Sequence, residues 1–597
     1  MKKSIFLALG QRLLFGVLIL GFILFLSFMG LDMARGVPLE NAMPEALRKS
    51  IAYGGKAIQG DFGETTAGGF SLLPEPVIEL APELILRSFG LLAVSLLVAT
   101  VFGVILGVLA AGKRSGRSLL MIMLSIIGIS VPSFFMAMLL QIAVIKISQA
   151  TGSEFLPVGG LGWDKRMILP ALVLAARPLA QISRVTFVTI EEILLQDYVR
   201  TAHSKGLRQR VVTGVHVFRN AAISILTTVA LSLRFSLSSL PVVEFFFGWS
   251  GIGFTLLKAI SQRDDNLTII LALSLGALVI FVNIVLDILY HLIDPRLADA
   301  ARGVYREGNK GLLQWLRDLR DGFKQRSKDK ERDSGSPFTQ LVKEKLDAAE
   351  SETAALPELK SDRTKGRKRA WIQGTLGNIP FMVGGVILLS LFLVIVFGPQ
   401  LSPHSPYTTQ GLVIEDGNFS VPPFEPSETH PWGTDMLGRD MMSLVLSGAQ
   451  QTLFLATAVV LARIFVGFLL GAIAGWLAGS RIDRIIVGFA EIIAAFPTLL
   501  LAMILVLAFG IRRGIDPFVI ALGFVGWGEI MQFVRGEVMM IHPKLFIESA
   551  VALGARSPRI IWRHVLPNLI PSLVSIIVLE MGAVLMLLGE LGFIGIF

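Results

Sequence analysis

Eleven long apolar runs divide the chain. Six lie near residues 13–31, 88–111, 118–145, 167–190, 220–243 and 267–293. Five more lie near 372–398, 449–478, 485–510, 517–534 and 568–590. A helix needs about 20 apolar residues to cross a bilayer, so each run predicts a membrane-spanning helix and the expected fold is all-α and polytopic. Runs of this length exclude an outer-membrane barrel, whose strands alternate over about 10 residues. The first run follows Lys2, Lys3 and Arg12. It is longer than a secretory signal core and no A-x-A site follows, so it reads as a retained first span.

The polar stretches sort by charge. Lys113, Arg114 and Arg117 lie between spans two and three, and Arg200, Lys205, Arg208, Arg210 and Arg219 between spans four and five. The loop after span one instead carries Glu40, Glu45, Asp61, Glu64, Glu75, Glu79 and Glu83, and the loop after span seven carries Glu415, Asp416, Glu425, Glu428, Asp435 and Asp440. Basic loops stay in the cytoplasm, which predicts a cytoplasmic N-terminus and acidic loops outside, near 33–86 and 399–446. Six spans return the chain to the cytoplasm, so residues 296–370 are expected to form a basic cytoplasmic linker. Within it Leu312, Trp315, Leu316, Leu319 and Phe323 share a helical face, which suits either an interfacial helix or one frayed helix in a solvated linker.

Composition narrows the function classes. Of 597 residues, 53% are hydrophobic and only 17% charged, against about 25% charged in soluble domains. The mean hydropathy of +0.68 excludes an ordinary soluble enzyme and a disordered chain. The net charge of +9 sits in the loops described above, so it reads as membrane topology and not as nucleic-acid binding. With no cysteine there is no disulfide, zinc knuckle, iron–sulfur cluster or thiol chemistry.

An internal repeat organises the rest. Ala202-x3-Gly206-x9-His216-Val217-x2-Asn220 recurs as Ala550-x3-Gly554-x9-His564-Val565-x2-Asn568, at an offset of 550 − 202 = 348. Gly103-x2-Leu106-Gly107 matches Gly467-x2-Leu470-Gly471, Pro132 matches Pro497, and Glu244-x2-Phe247 matches Glu590-x2-Phe593. The chain therefore reads as two diverged copies of one membrane unit in parallel orientation. In each copy the repeated motif falls in a cytoplasmic loop. A small residue (Ala202, Ala550) permits close helix approach, and a glycine (Gly206, Gly554) ends a short helix in a left-handed turn. Such a loop makes either a docking knob or a plain elbow between two spans.

These loops resemble the coupling loop, the "EAA" motif, of type I ABC importer permeases. The first copy is similar to the first permease of oligopeptide and dipeptide importers at Gly60-Asp61-Phe62-Gly63, Leu156-Pro157-Val158-Gly159-Gly160, Asp197 to Ala202, Val243 to Gly253, and Asn283 to Arg296. The second is similar to the partner permease at His430-Pro431-Trp432-Gly433-Thr434-Asp435, Leu437-Gly438-Arg439-Asp440, Phe496-Pro497, and Arg563 to Asn568. His203 and Ser204 depart from the usual small or basic residues, and Ser250 stands in place of a proline. The resemblance implies two fused permease units. The first spans 1–295, with six spans and a coupling loop near 191–219. The second spans 371–597, with five visible spans and a coupling loop near 535–567. A complete family member has twelve spans, so either a span is missing from this sequence or the lineage is shortened.

The resemblance further implies a binding-protein-dependent importer in a prokaryotic inner membrane, with peptides as the expected cargo, although nickel, oligosaccharide and antibiotic importers share this permease type. Ala202, Gly206, His216, Asn220, Ala550, Gly554, His564 and Asn568 would couple to cytoplasmic ATPase subunits, and an extracytoplasmic substrate-binding protein would deliver cargo to the outer loops. The chain has no G-x4-G-K-[ST], so ATP hydrolysis would belong to those partners and no cofactor of its own is expected. No catalytic constellation is apparent, and the seven histidines are too scattered for a metal site. Arg234 follows Asn220 at an offset of 234 − 220 = 14, and Glu580 follows Asn568 at an offset of 580 − 568 = 12. Both then sit roughly 18–21 Å along their helices, where a charge needs a partner or water. The resemblance puts those helices on the translocation path, with Arg234, Glu580, Glu244 and Glu590 as candidate lining residues and Arg234–Glu580 as a candidate pair. A secondary transporter with parallel repeats is the alternative; it predicts coupling charges inside the membrane and no paired docking loops. A membrane scaffold without transport is the third class.

Overall fold

The structure is a computed structural model of the chain. It describes residues 2–66, 74–111, 116–208, 211–293, 379–409, 411, 413–415, 418–494, 496, 498–509, 514–555 and 557–595. The expected linker 296–370, with its candidate helix over Leu312–Phe323, lies outside the described residues.

The first half contains α1 (Lys2–Ala34), α2 (Leu39–Ile58), α3 (Val77–Ala110), α4 (Gly116–Ser130), α5 (Ser133–Thr151), α6 (Ile168–Leu194), α7 (Asp197–Ser204), α8 (Arg219–Phe247), α9 (Ile252–Gln262) and α10 (Asp265–Ile293). The second contains α11 (Ile379–Leu401), a two-stranded antiparallel hairpin of β1 (Val413–Glu415) and β2 (Asn418–Ser420), and α12 (Met441–Trp476). After these come α13 (Arg481–Ala494), α14 (Thr498–Phe509), α15 (Asp516–Ile541), α16 (Leu545–Ala552), one turn at Ser557–Ile560, and α17 (Leu566–Phe593). Among the described residues, ten helical stretches are long and apolar enough to cross a membrane, and α13 with α14 makes an eleventh if the bent pair is one span.

Two runs expected to be single spans are broken. The run over 118–145 is α4 and α5, separated at Val131-Pro132. Proline has no N–H to give the helix and pushes the preceding residue out of the α region; Pro132 sits in extended geometry as the N-cap of α5. The run over 485–510 is α13 and α14, bent by 89° around Phe496. Pro497, the repeat partner of Pro132, lies outside the described residues. The second span also begins at Val77, before the expected 88, because the acidic residues of its first turns continue the helix instead of ending it.

The chain packs as two units, 1–306 with 456–597, and 307–455. In the first unit α3, α6 and α8 form the packed centre of the first half, and α1 lies against α2, α10 and α14. Lys49 Nζ to Asp32 Oδ1 (2.7 Å) and Arg35 to Asp265 (2.7 Å) tie α2 and the start of α10 to the end of α1. Glycines set the closest crossings. A Cβ on Gly107 would lie 2.6 Å from Thr186 Cβ and 2.7 Å from the Ser183 carbonyl. On Gly471 it would lie 2.6 Å from the Met531 carbonyl and 2.8 Å from Val534 Cβ. Since 531 − 183 = 348 and 534 − 186 = 348, both halves use the same crossing.

In the second unit the segment His430–Asp440 forms a clasp at the start of α12. Asp440, buried, accepts from Ser443 N (2.8 Å) and Ser443 Oγ (2.6 Å) and bonds His430 Nδ1 (3.0 Å). A side-chain oxygen that takes free N–H groups at a helix start is an N-cap, so this motif first serves to begin the span. Burial pushes the Asp440 carboxyl up, but the bonds from Ser443 and His430 outweigh it and hold the carboxyl below its ordinary value.

Candidate functional site

The repeated loops are built alike down to single bonds. Each short helix follows an extended residue, Gln196 or Lys544. Each ends at a glycine with positive φ, +74° at Gly206 and +76° at Gly554. Gly206 N donates to the His203 carbonyl and Gly554 N to the Val551 carbonyl, both at 2.9 Å. The chain then enters the next span through a π-helical turn, Val212–Phe218 in one half and Ile561–Val565 in the other. The wider turn spoils the regular ladder, and an asparagine amide serves a carbonyl there: Asn220 Nδ2 donates to the His216 carbonyl (2.8 Å) and Asn568 Nδ2 to the His564 carbonyl (2.7 Å). That is a physical reason for the spacing of His and Asn in the repeat.

The cores beneath the loops match too. Buried Ile182, Ile190, Val199, Ala202, Val212, Val217, Ala221 and Ile225 make up most of one cluster. Ile530, Val538, Ile547, Ala550, Ile560, Val565, Leu569 and Leu573 make up most of the other, and each stands at the repeat offset from its counterpart, as in 530 − 182 = 348. Ala202 and Ala550 are thus packing residues, while Gly206 and Gly554 have open space around them. The outward faces differ. Leu545, Phe546, Val551 and Leu553 are exposed around α16. On α7 Asp197 and Arg200 are exposed, and Tyr198 Oη accepts from Asn220 Nδ2 (3.0 Å).

Between the halves, within the first unit, lies a chamber of about 110 Å³. Arg177 of α6 lines it from the first half; Arg463, Glu529, Glu580 and Glu590 line it from the second. Glu580 and Glu590 therefore meet at one cavity. Glu580 Oε2 accepts from Arg463 Nη1 (3.0 Å), and Arg463 Nε also donates to the Leu522 carbonyl (2.9 Å). Glu590 Oε1 accepts from Ser133 Oγ (3.2 Å). The partner found for Glu580 is thus Arg463 of its own half. Arg234 is in α8, but its side chain lies outside the described residues.

Glu244 lies apart from this chamber. It is fully buried and is not among the residues lining the chamber. Its carboxylate accepts from Ser88 Oγ and from Phe254 N (3.0 Å), and Ser88 Oγ in turn accepts from Ile252 N (2.7 Å). It holds the first turn of α9, where free N–H groups need an acceptor, so the geometry gives it a capping role. Among the described residues no group of three or more His, Asp or Glu side chains is placed to hold a metal ion.

The family profile described as "Binding-protein-dependent transport system inner membrane component" matches twice, over residues 103–299 and 467–596. The chain belongs to that family. It is a fused permease, since the profile described as "N-terminal TM domain of oligopeptide transport permease C" matches 376–423, ahead of the second copy. A di/tripeptide transport system permease of Pseudomonas aeruginosa is 34% identical over 276 residues, 41% of this chain and 79% of the relative. A Brucella ovis protein that carries the name of a peptide permease is 31% identical over 314 residues, 48% of this chain and 97% of the relative. An Escherichia coli K12 protein named for D,D-dipeptide transport is 30% identical over 246 residues, 41% of this chain and 78% of the relative.

The permease is thus a multi-pass membrane component of an ABC importer, and the secondary-transporter alternative falls away. Sequence reasoning missed Arg177, Arg463 and Glu529. The signal was available: each is a charge inside an apolar run, the criterion that picks out Arg234 and Glu580.

Proposed function

We propose that the permease imports peptides across a prokaryotic inner membrane, with its N-terminus in the cytoplasm. Cytoplasmic ATPase subunits dock on α7 and α16 and hydrolyse the ATP; an extracytoplasmic binding protein delivers the peptide. Closure of the ATPases drives the two loops, and the halves rock around the chamber between them. Ala202, Gly206, His216 and Asn220, with Ala550, Gly554, His564 and Asn568, shape the two docking surfaces, and Glu580 and Glu590 lie on the path.

The observation that carries this reading is the duplication of the loop in detail: turn, π-helical entry, asparagine bond and buried core at one offset. Two diverged halves that keep one loop geometry suit a pair of docking surfaces worked by one motor. The peptide cargo rests on the names of the relatives. The test is Gly206→Val with Gly554→Val. Both glycines have positive φ, where a β-branched residue is a genuine outlier, and both have room for a side chain, so insertion should survive. The doubly substituted permease should still reach the membrane but lose peptide-stimulated ATPase activity in the assembled complex. Normal stimulation would remove the loops from the coupling path.

A further inference from the structure

The chamber between the halves has an internal control. Applying the offsets of the repeat, Glu580 corresponds to Ser232 (580 − 348) and Glu529 to Gln181 (529 − 348). Arg463 corresponds to Ala99 (463 − 364). In the first half these positions are neutral: Ser232 Oγ donates to Gln181 Oε1 at 3.0 Å, and Ala99 is fully buried. The same helix crossing therefore folds without an ion pair. Charges at membrane depth are costly to insert, and a buried pair is often no more stable than a well-packed neutral replacement. The second half keeps an arginine and two glutamates where its sister shows that packing does not need them.

The arginines are also incompletely used. Arg463 is 4% exposed and spends Nε and Nη1, but its buried Nη2 has no hydrogen-bond partner among the described residues. Arg177 lies 4.4 Å over the Phe235 ring and 3.3 Å from Met586 Sδ, and its buried Nε is likewise unpartnered there. Buried donors without acceptors are uncommon and call for a reason. Glu529, by contrast, is exposed. The space is about 110 Å³, well above the roughly 10–15 Å³ that a single water needs, so a terminal charged group has room there.

We propose that this chamber is a subsite for the charged ends of the cargo, with Arg463 and Arg177 taking a carboxylate and Glu529 an ammonium group. The chamber then recognises a zwitterionic chain by what every free peptide has in common and leaves its side chains unread. This rests on the peptide-import reading above.

The test uses the permease assembled with its ATPases and binding protein in proteoliposomes, with trialanine, its N-acetyl form and its C-terminal amide as probes. Glu529→Gln, on an exposed side chain, should lower the uptake ratio of free to N-acetylated peptide about tenfold, and Arg177→Gln should do the same for the ratio of free to amidated peptide; these are the sizes expected for losing one hydrogen bond to a charged group. The graft Arg463→Ala, Glu529→Gln, Glu580→Ser copies the first half; it should insert and melt like the parent and lose both preferences. A graft that fails to insert overturns the proposal, since the charges are then structural. Unchanged ratios in all variants, with trialanine still imported by the parent, overturn the subsite and leave the peptide reading standing. No import of any peptide by the parent removes both. If the capped peptides are not imported at all, a diazirine-bearing tripeptide decides: labelling of α15 and α17 that trialanine competes away supports the subsite, and labelling only elsewhere refutes it.

Discussion

Gly107 and Gly471 let two helices meet backbone to side chain, and alanine there should show how tightly. The nearest atoms to an added Cβ are 2.6 Å away in both cases, against 3.4 Å for the start of ordinary contact, so each crossing must open by about 3.4 − 2.6 = 0.8 Å. At Gly103 the nearest atom is at 3.0 Å, and half that opening suffices. At Gly582 in α17 nothing lies within 4 Å. Overpacking a tight core costs about 1–3 kcal/mol, while glycine to alanine in a helix returns about 1 kcal/mol. The net expectation is a loss of up to roughly 2 kcal/mol for Gly107→Ala and for Gly471→Ala, a smaller change for Gly103→Ala, and a gain of up to about 1 kcal/mol for Gly582→Ala. Melting of the purified permease in one detergent, followed by tryptophan fluorescence, ranks the four. Because the two halves use one crossing, Gly107→Ala and Gly471→Ala should fall together. If Gly582→Ala destabilises as much as they do, the crossing geometry is not what limits these positions.

Gly526 faces the Arg463 guanidinium so closely that a Cβ would occupy its place; Gly526→Ala should displace Arg463 from Glu580 and cost about 3–5 kcal/mol, as breaking a buried pair does, seen as a drop in melting temperature that the added Glu580→Gln partly relieves. The Asp440 carboxyl is held below its ordinary value, so its contribution to stability is full above the unfolded value of about 3.9 and is lost only as pH falls through the lower folded one. The gap in melting temperature between the permease and Asp440→Asn should accordingly stay flat from pH 8 to about 5 and close at lower pH; a gap that closes near neutrality would point to another group. Single cysteines in this cysteine-free chain test orientation: with the N-terminus in the cytoplasm, an impermeant maleimide applied to intact cells should label Asp61→Cys and not Lys205→Cys.

The spans and the repeat were legible because they rest on period and spacing, which a bilayer enforces. The positive φ at Gly206 and Gly554 was readable for the same reason: a glycine at the end of a short helix has few other uses. The break at Pro132 was not read, because apolar content alone continues through a proline and only the missing N–H interrupts the ladder; the bend around Phe496 was not read because the apolar content runs through it unchanged. The partners of Glu244 were not legible because a carboxylate in an apolar helix signals a buried partner without saying which. Its partners are Ser88, 156 residues upstream, and the N–H of Phe254, both reached only through folding. The same applies to Glu580, whose arginine lies 117 residues away on another helix.

The two halves agree and differ in a pattern that bears on mechanism. At the loops, corresponding residues keep one offset, one turn and one asparagine bond. At the chamber, corresponding residues have parted: Gln181 and Ser232 on one side, Glu529, Glu580 and Arg463 on the other. A duplicated unit drifts wherever nothing holds it, so drift alone accounts for a lost contact or a changed surface. It does not account for keeping three ionisable groups at one point inside a membrane, each of which works against insertion. Under the proposed function the contrast has a single origin. The motor pushes both halves alike, so the loops stay alike. A peptide has unlike ends, one cationic and one anionic, and a path that serves both gains nothing from symmetry.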